Sequence, residues 1–502
     1  MKRAFGLAAL ALVATLLLPV TASADTLDAA GNGVLGDTVA LNTMLVFFAA
    51  VLVLFMQAGF ALLEIGFSRS KNAGTGIAKI LTNLSIAALA FYAVGFGFAF
   101  GNGSFMGTDG FLLQGFGDPQ TTFGVMGLSD ATIESKWLFQ FAFCAVSLAI
   151  VWGTTLERIK FGAYVAYAIV FAAVIYPIGA HWVFGGGWLQ NGGFFLDDLG
   201  LTGMQDFAGS TAVHLIGATG ALAALLLLGA RKGKYGPDGK PRAIPGHSMP
   251  LVGLGILILF VGWFGFNPGS ALGAGDLRFA EVAVVTMLGA AGGVIGAFIA
   301  TQLMQRTIDI GMVGNGMIAG LVAITAPSGY VEAWTAPIIG LVAGLIVVAG
   351  VIFIDRKIDD PVGALSAHGL AGIWGTLACG IFTAPRFAQY NAFGDPDGGL
   401  IYSGAFTQLA TQAIGVVIAF SFVFSMSYVT FWVIKKTIGL RVSEEQEDAG
   451  LDIVEHGMYG YPEQFIPAPE IGAGSTGPAA PAWSGSGSPA TVSAMTTAEV
   501  TS

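Results

Sequence analysis

Uncharged apolar stretches recur along the chain at roughly 38–63, 80–101, 137–156, 161–184, 207–230, 249–272, 282–305, 310–327, 335–354, 361–384 and 405–434. Each is long enough to cross about 30 Å of hydrocarbon at about 1.5 Å per helical residue, so the pattern predicts eleven transmembrane helices. Two stretches overshoot, and Gly185-Gly186-Gly187 and Asn267-Pro268-Gly269 supply natural ends. The basic residues lie in alternate loops: Arg69, Lys71 and Lys79; Arg158 and Lys160; Arg231, Lys232, Lys234, Lys240 and Arg242; Arg306; Arg356 and Lys357; Lys435, Lys436 and Arg441. By the excess of cations in cytoplasmic loops, these loops face the cytoplasm, the N-terminus lies outside and the C-terminus inside.

The two ends depart from this pattern. Met1-Lys2-Arg3, an apolar run to Val20 and the small residues Thr21-Ala22-Ser23-Ala24 have the three regions of a secretory signal peptide, predicted as residues 1–24. Residues 25–438 form the membrane domain and 439–465 a cytoplasmic C-terminal segment. The Gly, Ser, Ala, Pro and Thr-rich residues 466–502 carry too little apolar surface to fold, and read as a disordered tail.

Composition supports the membrane assignment, because 55% hydrophobic and 10% charged residues cannot cover a soluble domain of this size. The net charge of -10 sits largely in loops and the C-terminal segment and indicates no nucleic-acid partner. Cys144 and Cys379, both in apolar stretches, give neither zinc spacing nor a disulfide framework. No nucleotide loop, metal cluster or nucleophile triad is legible, so the chain reads as a non-enzyme without a cofactor.

Against this background five histidines are few, and two of them match. Asp206 precedes His214 in DFAGSTAVH as Asp360 precedes His368 in DPVGALSAH, eight residues apart in each case. Ionisable groups at membrane depth are costly and usually face a pathway. On one continuous helix, eight residues are about 12 Å of rise and about 80° of rotation, which puts each Asp two turns from its His on a similar face. His214 falls in the fifth predicted helix and His368 in the tenth, which run in opposite directions. That suggests an all-α integral membrane fold with a 5+5 inverted repeat plus one helix. The small residues of GAAGGVIGA (289–297) predict close helix packing.

Seven segments, GFALLEIGFSRSKN (59–72), FQFAFCAVSLAIVWGTTLERIKF (139–161), DFAGSTAVH, GWFGFNPGSA (262–271), NGMIAGLVAITA (315–326), DDPVGALSAHGLAGIWGTL (359–377) and GLRVSEEQEDAGLDIVEHG (439–457), together resemble the ammonium transporter family (Amt/Mep/Rh), bacterial Amt branch, over roughly residues 40–460. The resemblance implies a homotrimer in the inner membrane with a conduction path through each protomer. It assigns the twin pore histidines to His214 and His368, and a hydrophobic gate to Phe143 and Phe266. An outer ammonium-recruitment site maps to Ser270, Phe143 and Phe184. The last replaces the family's usual Trp, a stronger cation–π partner, and Trp182 or Trp188 are its possible substitutes. Asp206 and Asp360 become supporting acids, with Asp206 holding backbone N–H groups. Gly363 stands where some members carry a second acid. A PII-type signal protein is the implied cytoplasmic partner. The alternatives are a neutral ammonia or carbon dioxide channel like the Rh branch, and an ammonium sensor; the short stretch after the EEQEDAGLD segment favours transport over sensing.

Overall fold

A computed structural model describes residues 37–114, 131–275, 278–388 and 394–465. The predicted signal peptide and tail therefore lie outside the described residues. Among these residues the regular structure is helical, with isolated β-bridges and no strand. The principal helices are α1 (Asp37–Phe67), α2 (Ser70–Phe100), α3 (Ile133–Thr154), α4 (Phe161–Asp198), α5 (Ser210–Leu228), α6 (Met249–Ala271), α7 (Arg278–Gln305), α8 (Ile310–Thr325), α9 (Ala336–Ile354), α10 (Leu365–Phe382) and α11 (Thr407–Thr437). Ten are long and apolar enough to cross a membrane; α8, at 16 residues, is shorter. Residues up to Gly460 form one unit, and Tyr461 begins a second with the short helix Pro462–Phe465.

Every predicted apolar stretch is helical, but three beginnings differ from the pattern. Helix α2 starts at Ser70, so Lys79 is not a loop cation: it lies inside the helix and is wholly buried. Likewise α1 runs past its apolar stretch to enclose Glu64. Helices α5 and α10 begin only at Ser210 and Leu365, after Asp206 and Asp360. The two aspartates are thus not on the histidine helices, and the two-turn geometry expected from their spacing does not apply.

Burial divides the bundle. The apolar windows of α3 and α5 are 89% and 83% buried, whereas those of α1 and α11 are 33% buried, so the former make the core and the latter turn apolar faces outward. Phe48, Leu81, Leu257, Phe353 and Val417 are exposed on such faces. A surface of that kind suits lipid and would aggregate in water. Small residues bring α7 against α8 and α9, as predicted: a β-carbon on Gly293 would collide with the Gly316 carbonyl, and one on Gly340 with that of Gly289.

The end carrying the basic loops is held by buried ion pairs. Glu157, at the end of α3, binds Arg69 through its backbone N–H (2.7 Å) and guanidinium (2.6 Å). Arg231 donates to both oxygens of Asp359 at 3.0 and 2.9 Å, and Arg158 donates to the Asp359 carbonyl at 2.8 Å. Burial pushes the Asp359 carboxyl up, but the Arg231 hydrogen bond and the Arg158 and Arg231 charges outweigh it and hold it at about 2. Because this folded value lies below the usual 3.8, the stabilisation is present above that value and is lost as pH falls from there through about 2.

The segment from 439 docks on these same loops of its own chain. Val442 N–H donates to Arg158 O (3.1 Å) and Leu451 N–H to Asn72 Oδ1 (2.8 Å). Arg441 binds Glu447 (2.6 Å), which also accepts from Lys232 N–H (2.6 Å). Asp452 accepts from Gly74 and Thr75 N–H at 2.9 and 2.7 Å.

Candidate functional site

Helices α5 and α10 open in the same way. Asp206 accepts backbone N–H bonds from Gly209 (2.8 Å), Ser210 (2.9 Å), Thr211 (2.9 Å) and Ala212 (3.0 Å). Asp360 accepts from Val362 (3.3 Å), Gly363 (3.0 Å) and Leu365 (2.7 Å). Each carboxylate satisfies N–H groups that a helix start leaves without intrahelical partners, and its charge suits the positive end of the helix dipole. For those donors to converge, the residue three after each Asp takes a left-handed backbone: Gly209 has φ +115° and Gly363 φ +74°. At both positions a side chain would be strained. The repeat is therefore Asp-x-x-Gly-x-x-x-x-His, and Gly363 has a backbone function.

Behind each start the helix widens into a π turn, Ser210–Leu215 and Leu365–Leu370, and each turn carries its histidine. Such turns displace side chains from the regular helical ladder and are frequent at functional sites. Here they bring His214 and His368 together in the interior, with Nδ1 atoms 3.2 Å apart and rings 5.2 Å between centroids at 24°. Two imidazole nitrogens at that separation share one proton, so one ring donates and the other accepts. His214 Nε2 is buried and has no hydrogen-bond partner among the described residues.

Aromatic rings close one side. Phe143 of α3 and Phe266 of α6 stack at 4.0 Å and 18°. His214 lies against Phe266 (5.4 Å, 26°) and against Trp263 (5.3 Å, 16°). Trp263 is held by an indole N–H bond to Thr325 Oγ1 at 3.0 Å. It was not singled out in the sequence, where it is one apolar residue within GWFGF. Ser270 follows on the last turn of α6 and donates its hydroxyl to Phe266 O at 2.8 Å, leaving the oxygen lone pairs to accept.

Phe184 and the two tryptophans offered as its substitutes pack in different surroundings. Phe184, at the end of an α4 segment, is buried, and its ring tip would lie 3.4 Å from a β-carbon on Gly209, so it covers the Asp206 turn. Trp182 donates its indole N–H to Phe105 O (2.6 Å) and packs on Phe422 at 4.6 Å. Trp188 packs on Trp182, Phe194 and Phe195. Trp182 thus joins α4 to α11 and the 105 loop, and Trp188 packs behind it. His181 places its two ring nitrogens 2.9 Å from Ala99 O and Gly103 O.

On the opposite side of His368, toward the basic loops, a small cavity of about 20 Å³, room for about one water-sized molecule, is lined by apolar residues together with Glu64, Asn315 and His368. Asn315 donates to Val362 O at 3.0 Å, and so ties α8 to the Asp360 turn. The order along this axis is the Phe143 and Phe266 pair, His214, His368, the cavity, and the ion-paired loops.

Comparison with known proteins yields one consistent picture. The profile of the Ammonium Transporter Family matches residues 43–461. Ammonium transporter Amt2 of Archaeoglobus fulgidus is 44% identical over 414 residues, covering 82% of this chain and 86% of that protein. Among solved structures, one described as a sensor Amt protein aligns with TM-score 0.74 and 35% identity, covering 84% of this chain and 99% of that one. Mep2 of Candida albicans aligns with TM-score 0.72 and 28% identity, covering 81% and 87%.

Proposed function

The chain belongs to the ammonium transporter family, and from that premise we propose that it recruits ammonium outside, removes a proton, and conducts ammonia past His214 and His368. The family is one of transport proteins rather than enzymes, and ten apolar helices make this a multi-pass membrane protein. The reading is carried by one observation: two imidazoles 3.2 Å apart lie beneath stacked phenylalanines in an otherwise apolar interior. A bare cation loses its hydration in such a path, whereas ammonia, neutral and able both to donate and to accept, loses far less. Potassium has no proton to surrender and so lacks the neutral route.

In this reading α8 is the eighth of eleven crossings, arranged as a 5+5 inverted repeat plus one. The matched Asp-x-x-Gly-x-x-x-x-His openings of α5 and α10 support that symmetry. The chain assembles as a homotrimer in the inner membrane after removal of residues 1–24, with the basic loops and the C-terminus in the cytoplasm. The proton crosses separately along a histidine and water route, which makes transport electrogenic. A neutral ammonia or carbon dioxide channel is the rival that the Phe184 replacement favours. A current evoked by ammonium in proteoliposomes tests the proposal directly; net uptake without current favours the neutral channel. The likeness to a sensor Amt protein favours a second reading, ammonium sensing, and a chain that binds ammonium without passing it would fit that one.

Phe143, Phe184 and Ser270 form the recruitment site in this scheme. Substituting Phe184→Trp strengthens the cation–π contact by about 0.5–1 kcal/mol and lowers the half-saturating ammonium concentration a few-fold. Titration of the transport current reads this, and an unchanged half-saturation removes Phe184 from the site.

For the cytoplasmic side we propose a regulatory surface formed by 231–242 and 439–457, available to a PII-type protein. Deleting residues from 466 leaves ammonium uptake at the parent level. Deletion from 439 removes Glu447 and Asp452, leaves Lys71, the Lys232 N–H and the 74–75 N–H groups without their partners, and lowers uptake several-fold. Equal uptake by both truncations, with and without the signal protein, would end the regulatory reading.

A further inference from the structure

Two buried charges on α1 and α2 have no place in the conduction scheme above. Glu64 is 1% exposed, and neither of its carboxyl oxygens has a hydrogen-bond partner among the described residues. Lys79 is 0% exposed with its Nζ equally unpartnered, although it is a coulombic neighbour of Glu64. A single-sign charge left without partners in an apolar interior is among the most costly arrangements a protein keeps, and here it is kept next to an opposite charge without a bridge being made. The Glu64 carboxyl lines the same cavity as His368, and a β-carbon on Gly153, across that cavity, would lie 3.3 Å from Glu64 Oε1. Glu64 and His368 are the ionisable groups among its lining residues.

We propose that Glu64 is the proton station at which ammonia leaving the histidine pair becomes ammonium again, with Lys79 as the positioning charge that steadies the carboxylate left behind. This rests on the transport reading above. The step is balanced: the Glu64 carboxyl O–H bond breaks, the ammonia lone pair takes that proton to form the fourth N–H bond, and the carboxylate remains. The proton removed from ammonium at the outer side, carried separately, then reloads Glu64. One ammonium enters and one leaves. The cavity gives the carboxyl room to meet a molecule the size of water, and its open oxygens are free to do so. The signal was present in the sequence as a carboxylate inside GFALLEIGF, where apolar periodicity offers it no exposed face.

The test uses the full-length chain in proteoliposomes, with ammonium chloride pulses and the evoked charge as readout. The parent, E64Q, E64D and the charge-balanced double variant E64Q/K79Q are compared, with thermal unfolding measured in parallel. The expected result is a loss of about a hundredfold in evoked charge for E64Q, the lower range for a positioned general acid, with E64D retaining more than E64Q. The double variant, which carries no unpaired buried charge, unfolds like the parent yet stays as low in current as E64Q. Parent-level current from E64Q or from the double variant overturns the proposal, because it would make the pair a structural one. A parent chain that gives no ammonium current and no uptake fails earlier, at the transport reading itself.

Discussion

Replacing His214 or His368 with Ala lowers ammonium conduction by about ten- to a hundredfold and leaves the fold intact. The paired Nδ1 atoms, 3.2 Å apart, provide the polar contacts in this stretch of an aromatic path bounded by Trp263, Phe266 and Phe143. Ammonia passing without them forgoes a hydrogen bond worth about 1–3 kcal/mol in a dry interior, and each 1.4 kcal/mol of barrier is about tenfold in rate. The fold survives because Ala keeps the backbone bonds of both positions, and the ring hydrogen bond that is lost joins the two histidines to each other; His214 Nε2 has no partner among the described residues. Evoked current and thermal unfolding of the same samples separate the two effects. An unfolding midpoint that drops together with the current would make the pair a packing element. Substituting one His with Asp, by contrast, introduces a fixed negative charge that stabilises bare cations, and potassium current appears in the variant where the parent has none.

Asp206→Ala has the opposite signature: stability falls first. Four buried N–H groups, of Gly209, Ser210, Thr211 and Ala212, lose their acceptor at once. Each orphaned donor costs about 1–3 kcal/mol, and even with partial relaxation the sum is about 4 kcal/mol or more. That is a large share of a typical domain's stability, so the thermal midpoint drops sharply and the yield of folded protein with it. Asp206→Asn keeps one oxygen but turns an amide NH2 toward two of the donors, and falls between Ala and the parent. Asp360→Ala, with three donors at longer mean distance, costs less. If Asp206→Asn unfolded like the parent and yet carried no current, proton handling rather than helix support would be the work of Asp206.

These contrasts show what the amino-acid pattern could and could not reveal. The helices were legible because a membrane core demands long uncharged runs, and every such run is helical here. The twin histidines and the phenylalanine pair were legible as residues that belong together, and the structure places them in contact. The positions of Asp206 and Asp360 were misjudged, because hydrophobic periodicity does not mark where a helix begins. The mark was the glycine three residues on, whose positive φ turns the chain into the helix. Trp263 was invisible among other apolar residues, since ring stacking across helices leaves no trace in spacing. The rule that charges avoid the membrane puts Lys79 in a loop, and no apolar pattern marks that α2 starts nine residues earlier and buries it. The C-terminal segment carried no sign that its acids bind loops of the same chain, because those contacts span more than 200 positions.

Transport in this scheme depends on neutral passage of a deprotonated substrate through the His214 and His368 path. The measurement that bears on it most directly is the current across proteoliposomes holding the full chain, pulsed with ammonium and then with potassium at equal concentration. A current with ammonium and none with potassium, with the ammonium current lowered about ten- to a hundredfold in the His214→Ala and His368→Ala variants, is the predicted result. A potassium current equal to that of ammonium, or an ammonium current untouched by loss of both histidines, would contradict it.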